Sequence, residues 1–510
     1  MWNRHLPTTH YRIYQSSTTE ARIDQPSGPS KQCLSCHDGS LSFGLVLSQS
    51  PTDPITMNRS AMPTSPSNLT NDLSDDHPIG FRYDRALANR DPQIRPPEVV
   101  SSRIPLGDHG EMHCTSCHDP HNNEQGNFLR ITDRRGALCL TCHDMKGWHL
   151  SAHATFPQAI SARRVDPTER LTYQTMADNA CITCHKIHHA GGRERLLRFR
   201  REEQNCLNCH DGSLASNIAS VTNLRHSHRG DLTTGVHDPR ERRLNMRPHA
   251  ECVDCHNPHA AQFTALTSLR PRQPVIVPGA MQRTKGVTLA GTEVTSARFY
   301  YEVCFRCHAE TTVRVAQRIH RQVDQPNIRL QILPTSASAH PIARRSSSTD
   351  VPSLLPQYRT GTLISCQDCH NNNNAKSLGG AGPEGPHGSA FEFLLARNYE
   401  TADFTTESPN AYELCYQCHD RTSILGDESF PLHRVHVVNG RSTCSSCHAP
   451  HGVPGSRANH THLINFDRSI VRPVTGAAGG PVEFTDTGRF SGTCTLTCHG
   501  VNHVRFSYSR

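Results

Sequence analysis

Eleven times along this chain a closely spaced pair of cysteines is followed at once by a histidine, and no cysteine lies outside that arrangement. The pairs are Cys33 and Cys36, Cys114 and Cys117, Cys139 and Cys142, Cys181 and Cys184, Cys206 and Cys209, Cys252 and Cys255, Cys304 and Cys307, Cys366 and Cys369, Cys415 and Cys418, Cys444 and Cys447, and Cys494 and Cys498. The histidines after them are His37, His118, His143, His185, His210, His256, His308, His370, His419, His448 and His499. All 22 cysteines are used, which leaves none for a disulfide or a nucleophile. Cys-x-x-Cys is also half of a zinc ribbon, but zinc does not require a histidine directly after the second cysteine, and eleven repetitions are not coincidence. Cys-x-x-Cys-His is the attachment signature of c-type haem. Its thiols add to the two vinyl groups of one porphyrin, and the adjacent imidazole is carried beneath the ring to bind iron. The sequence predicts eleven haem c groups, the last on a departing spacing, Cys-x-x-x-Cys-His.

A chain loaded this way needs less side-chain core. Only 35% of its 510 residues are hydrophobic, 6% are aromatic, and the mean hydropathy is −0.59. Buried porphyrin can supply the missing apolar surface, at about 25 cal/mol per Å². The expected fold is mostly irregular, with low regular secondary structure, short α-helices around the haem motifs, and the chain folded around a covalently bound haem array.

Motif spacing suggests four segments: 1–110 with one motif, 111–230 with four, 231–355 with two, and 356–510 with four. The second segment holds two doubled units, whose motifs start 25 residues apart at Cys114 and Cys139, and at Cys181 and Cys206. A Ser/Thr/Pro-rich stretch at 346–362 is the best boundary. A short hairpin is expected between 270 and 294, and helix from Ala309 to Gln322.

Twenty-four histidines lie outside the motifs, against only eight methionines, so histidine on both faces of each iron is the economical reading. Four follow a motif histidine by three residues: His121, His188, His259 and His451. An imidazole so close to its own attachment turn is better placed to serve a neighbouring haem. His77 and His340 precede prolines, which disfavour helix before them, and His387 lies in a glycine-rich loop; all three suit loops presenting an imidazole. His153, His228, His436, His462 and His503 complete the candidates, with His436 preferred to His433, His228 to His226 and His462 to His460.

The phrases CTSCHDPHNN, CVDCHNPHA, YEVCFRCH, GPHGS, LCYQCHDR, CSSCHAPHG and THLINFD resemble the multihaem cytochromes of the cytochrome c3-like, doubled-CxxCH group. The likeness runs along essentially the whole chain and carries most of the weight for His153, His228, His436, His462 and His503. It implies an electron carrier of the periplasm or cell exterior, working with redox partner proteins or extracellular acceptors. Several relatives in the broad class form filaments, so a homopolymer is one implied state.

Function classes narrow accordingly. The formal charge of +7 is not that of the loaded protein, since about 22 propionates against roughly 11 ferric charges bring it near −4, and near −15 when reduced. Nucleic-acid binding loses its support. No apolar run reaches the 18 residues of a membrane span. Haem c is attached outside the cytoplasmic membrane, yet no secretory segment opens the sequence, so a signal peptide and a further haem motif are expected upstream of Met1. An electron conduit is the first reading. The alternative is a multihaem oxidoreductase, acting on nitrogen or sulfur oxyanions at one haem with an open sixth position.

Overall fold

A computed structural model of the chain describes residues 5–41, 43, 46–48, 52, 61–160, 172–228, 236–246, 248–263, 274–310, 319–345, 350–358, 361–455, 457–476 and 479–510. They form two compact units. The first comprises 1–215, 231–240 and 257–263; the second comprises 216–230, 241–256 and 264–510. The Ser/Thr/Pro-rich stretch 346–362 lies within the second unit and partly outside the described residues.

Regular structure is sparse, as expected. Among the described residues, five motifs sit on a single helical turn, Cys114–Cys117, Cys139–Cys142, Cys252–Cys255, Cys366–Cys369 and Cys444–Cys447; in Cys114–Cys117, Cys252–Cys255 and Cys366–Cys369 the cap repeats. The third residue of each of these turns caps it. Ser116 Oγ, Asp254 Oδ2 and Asp368 Oδ2 accept the backbone N–H just before the first cysteine, at 3.1, 2.9 and 2.7 Å, which satisfies a donor the turn leaves orphaned. The motif histidine then turns extended, as at His118 (φ −111, ψ 140), and ends the helix. The longest helices among the described residues, Gly28–His37 and Tyr300–His308, also end on motif histidines. The first of these carries Cys33 and Cys36 on its last two turns, so that motif continues a longer helix instead of forming an isolated turn.

Side-chain cores are small and scattered. In the first unit Phe81, Tyr83, Leu87, Val100, Ile104 and Met112 form the main cluster. In the second, Val287, Tyr301, Phe305, Ile332 and Ile342 form one, and Phe466, Val471, Phe484 and Leu496 another. Such clusters cannot carry units of this size alone, which fits a chain that packs on cofactors.

The expected hairpin is present in reduced form, as Gly286–Val287 paired with Glu293–Val294. Of the helix expected at 309–322, residues 311–318 lie outside the described set and the flanking residues are not helical. The eleventh motif departs from the expected helical turn. It lies on the middle strand of an antiparallel sheet made of β1 (Glu483–Gly488), β2 (Ser491–Cys498) and β3 (Val501–Tyr508), in that order. The Thr-rich alternation of CTLTC favours an extended, half-buried strand over a helix.

Candidate haem-binding sites

Among the described residues, eight motif histidines meet a second imidazole from outside the motifs. The ring centroids are 6.3 Å apart for His143 and His77, 6.4 Å for His118 and His188, 6.4 Å for His210 and His153, and 6.2 Å for His185 and His259. These four pairs belong to the first unit. In the second unit the separations are 6.2 Å for His308 and His228, 5.9 Å for His256 and His387, 6.4 Å for His419 and His340, and 6.0 Å for His370 and His451. Imidazoles in van der Waals stacking would be closer. An iron bound on both faces at about 2 Å, the length of a zinc–imidazole bond, would hold two ring centres roughly 6 Å apart.

Hydrogen bonds select the nitrogen that faces the gap. Nδ1 of His118, His185, His256 and His370 is paired with the carbonyls of Asn127, Arg195, Ala280 and Phe393 at 2.8–2.9 Å. On the other side Nδ1 of His153 and His228 meets Pro258 and Pro386 carbonyls, both at 2.8 Å, and that of His340 meets Pro450. An Nδ1–H donated to a carbonyl leaves Nε2 with its lone pair, the tautomer a metal takes. His188 is different: its Nδ1 meets the Asp76 carboxylate at 2.9 Å, and Asp76 is 3% exposed. Burial pushes the imidazoles of His143, His308 and His419 down to about 4, and those of His259 and His451 to about 3. They stay neutral, as ligation requires. The donor set therefore fits haem iron.

A repeated backbone device orients four motif histidines. After alternate motifs come NFLR (127–130), RLLR (195–198), FLLA (393–396) and HLIN (462–465). In each, the first two residues have positive φ, from 47° at Asn127 to 62° at Leu463. This rare conformation for L-residues aims the first carbonyl at the motif imidazole. The fourth residue's N–H returns to the second cysteine's carbonyl, at 2.8–2.9 Å. His462 holds the first position. Its carbonyl accepts from His448 Nδ1 (2.8 Å), while its ring lies 3.5 Å from Asp486. The structure thus does not bring the expected candidate His462 to a second imidazole.

Other candidates divide similarly. Among the described residues, neither His37 nor His121 stands at the 6 Å separation from another imidazole; His37 Nδ1 meets the Ser67 carbonyl at 2.7 Å. A second histidine for the haem expected at Cys33 and Cys36 does not stand among the described pairs. There the helix Gly28–His37 gathers both thiols and His37, and no second imidazole of the described set completes the pair. His433, the neighbour to which His436 is preferred, is half-buried, and desolvation pushes it down to about 3, with His448 the foremost charge beside it. His436 meets His503 at 6.2 Å. His499 meets Asp403 and Phe404. The sequence signal for the shared carbonyl position was the recurrence of those four tetrapeptides; Asp76 and Asp403 carried none.

The cysteines run in chain order. Thiols of the first cysteines hydrogen-bond between consecutive motifs: Cys33 with Cys114, Cys139 with Cys181, Cys304 with Cys366, and Cys415 with Cys444. The shared proton raises Cys33 and Cys139 and lowers Cys114, to about 7, and Cys181. Second cysteines neighbour each other at the alternate steps, Cys117 with Cys142, Cys184 with Cys209, Cys255 with Cys307, Cys369 with Cys418, and Cys447 with Cys498. Cys36 is half-buried, and Cys33 of its own motif feels its charge. In the loaded protein these sulfurs are thioethers at porphyrin edges.

These attachment turns and imidazole pairs are those of a multihaem c-type cytochrome with doubled CXXCH motifs, which binds haem c through them. The doubled CXXCH motif family matches residues 108–147, 174–214 and 356–424. The chain is similar to the multiheme cytochrome MtrA of Shewanella baltica (strain OS185), at 25% identity over 177 residues, 32% of this chain and 39% of that one. The match thus spans about two fifths of that relative's length. No helix among the described residues is long and apolar enough to cross a membrane.

Proposed function

We propose that the chain is an eleven-haem electron conduit of the periplasm or cell exterior, with histidine on both faces of its irons. The observation that carries this reading is the set of eight imidazole pairs at 5.9–6.4 Å. Bound haem c supplies one-electron exchange at iron, at the lower potentials that two imidazoles give relative to a Met/His pair. The protein's part is to hold ligands and fix spacing. His77, His153, His228 and His340 serve His143, His210, His308 and His419. His188, His259, His387 and His451 serve His118, His185, His256 and His370, and His433 serves His448. The alternating cysteine contacts support a continuous order of attachment sites within each unit, motifs one to five in the first and six to eleven in the second, each adjacent to the next in sequence.

The test is spin state and haem count of the holo-protein. The reading expects eleven haems per chain by mass, low-spin ferric signals throughout, and slow or absent carbon monoxide binding after reduction. Rapid carbon monoxide binding at one iron, with turnover of a nitrogen or sulfur oxyanion, would identify a reductase instead.

A further inference from the structure

Two stretches of the first unit that deliver haem-facing imidazoles also build a second cluster of donors. Asp75 and Asp76 precede His77, and His189 follows His188. The backbone joins the stretches: the His77 N–H donates to the Ile187 carbonyl at 2.8 Å, and the Ala190 N–H to the Asp75 carbonyl at 2.9 Å. One donor atom from each of Asp75, Asp76 and His189 lies within 4.8 Å of the other two. His189 reaches this position with a φ of 55°, uncommon for a residue other than glycine.

Asp76 touches both sets of histidines. Its side chain is 4% exposed. Its Oδ1 accepts from His188 Nδ1 at 2.9 Å and from the His189 N–H at 3.3 Å. Its Oδ2 is buried without a hydrogen-bond partner among the described residues, and so are Asp75 Oδ1 and His189 Nε2. Arg12 and Arg193 pair with Asp72, at 3.5 and 2.9 Å, and no described lysine or arginine pairs with Asp75 or Asp76.

Carboxylates so close together and out of water repel each other, and burying them is costly unless they are paired or hold a metal. Two carboxylates and an imidazole are donors that zinc accepts, with bonds of about 2.1 Å that place neighbouring donors roughly 3.4 Å apart. Small side-chain rotations close the cluster to that size. Calcium and magnesium take oxygen donors, so the imidazole favours a transition ion. Three protein donors leave the remaining coordination to water.

We propose that Asp75, Asp76 and His189 bind one divalent transition-metal ion of the zinc class, and that its charge, acting through Asp76 and His188, raises the potential of the haem attached at Cys114 and Cys117. Without the ion the Asp76 carboxylate favours the ferric state; a bound cation offsets that charge. The site stands apart from the two-histidine reading of the irons, while its effect on the haem rests on it.

The experiment titrates the full holo-protein, first stripped of loosely held metal by a chelator, with zinc in a calorimeter, and measures haem potentials with and without zinc by EPR-monitored potentiometry. One zinc per chain is expected to bind more tightly than any that follow. His189→Ala and Asp75→Asn should each weaken that event by at least about tenfold while haem content and spectra stay unchanged; Asp75→Asn keeps the side chain's shape and guards against a folding defect. Saturating zinc should raise the potential of one haem in the unaltered protein and of none in the variants. The absence of a single tight event, or one that either variant keeps, overturns the site. Tight binding that moves no potential overturns the coupling. A high-spin iron at Cys114 and Cys117 in the unaltered protein overturns the coupling together with the two-histidine reading and leaves the zinc site standing.

Discussion

Asp76→Asn tests whether second-layer charge sets a potential in this array. Asp76 is buried and its Oδ1 lies 2.9 Å from Nδ1 of His188, the partner of His118. An iron on the far side of that imidazole would be about 7 Å from the carboxylate, counting about 2 Å across the ring and about 2 Å for the metal–nitrogen bond. Two unit charges at that distance interact by roughly 2 kcal/mol at an effective dielectric of about 20. Since about 2.3 kcal/mol corresponds to 100 mV for one charge, the carboxylate favours the ferric state by roughly 100 mV, less whatever solvent and salt screen. Asparagine keeps the shape and an acceptor oxygen but loses the charge. One haem should therefore rise by several tens of millivolts while the other ten hold. Potentiometric titration followed by low-temperature EPR of the low-spin signals resolves a single shifted centre. A downward shift, or no shift in any centre, would refute the electrostatic reasoning.

His259→Ala should open the iron at His185, 6.2 Å away, and leave the haem at Cys252 and Cys255, beside which His259 sits in sequence, attached and low-spin; peptide mass and carbon monoxide difference spectra read both. His462→Ala should leave every iron six-coordinate because its carbonyl, not its ring, supports His448, whereas His433→Ala should open one iron to carbon monoxide. Asp178 is held down to about 2 by hydrogen bonds from Arg134 and Arg135. Its folded value lies below its unfolded one, so its contribution is present above the unfolded value and lost as pH falls through about 2. Asp178→Asn should thus melt a little below the unaltered protein at pH 6 and converge with it near pH 2, in thermal scans.

What was legible in the sequence follows from how local each requirement is. Attachment needs two thiols and an imidazole within one turn, so the Cys-x-x-Cys-His units could be read outright. His188, His259 and His451 could be picked as candidates from their place three residues after a motif histidine. The iron each serves could not, because His188 meets His118 only through the path of the chain between them. His462 illustrates a different failure. THLINFD suggested a ligand by resemblance, while comparison with NFLR, RLLR and FLLA places His462 at the carbonyl position, where any side chain serves. The x-x-x spacing of the last motif reads only as a departure that still leaves two thiols and an adjacent histidine, although its alternating threonines favour a strand. Asp76 and Asp403 had no pattern to betray them, being brought to their histidines by tertiary structure alone.

The pairings also follow a rule along the chain. Number the motifs from one to eleven. Each imidazole pair of motifs two, four, six and eight takes its second member from the stretch after the motif two places later: His188, His259, His387 and His451. Motifs three, five, seven and nine take theirs from the stretch between the two preceding motifs: His77, His153, His228 and His340. A two-motif repeat thus reaches forward for one ligand and backward for the other, and no repeat can complete its imidazole pairs alone. Segment 257–263 of the first unit carries His259, which meets His185, and 216–230 of the second carries His228, which meets His308. His436 continues the backward rule for motif eleven, since it lies between motifs nine and ten, and the imidazole it meets is His503. In a chain with small side-chain cores, these imidazole exchanges link consecutive repeats.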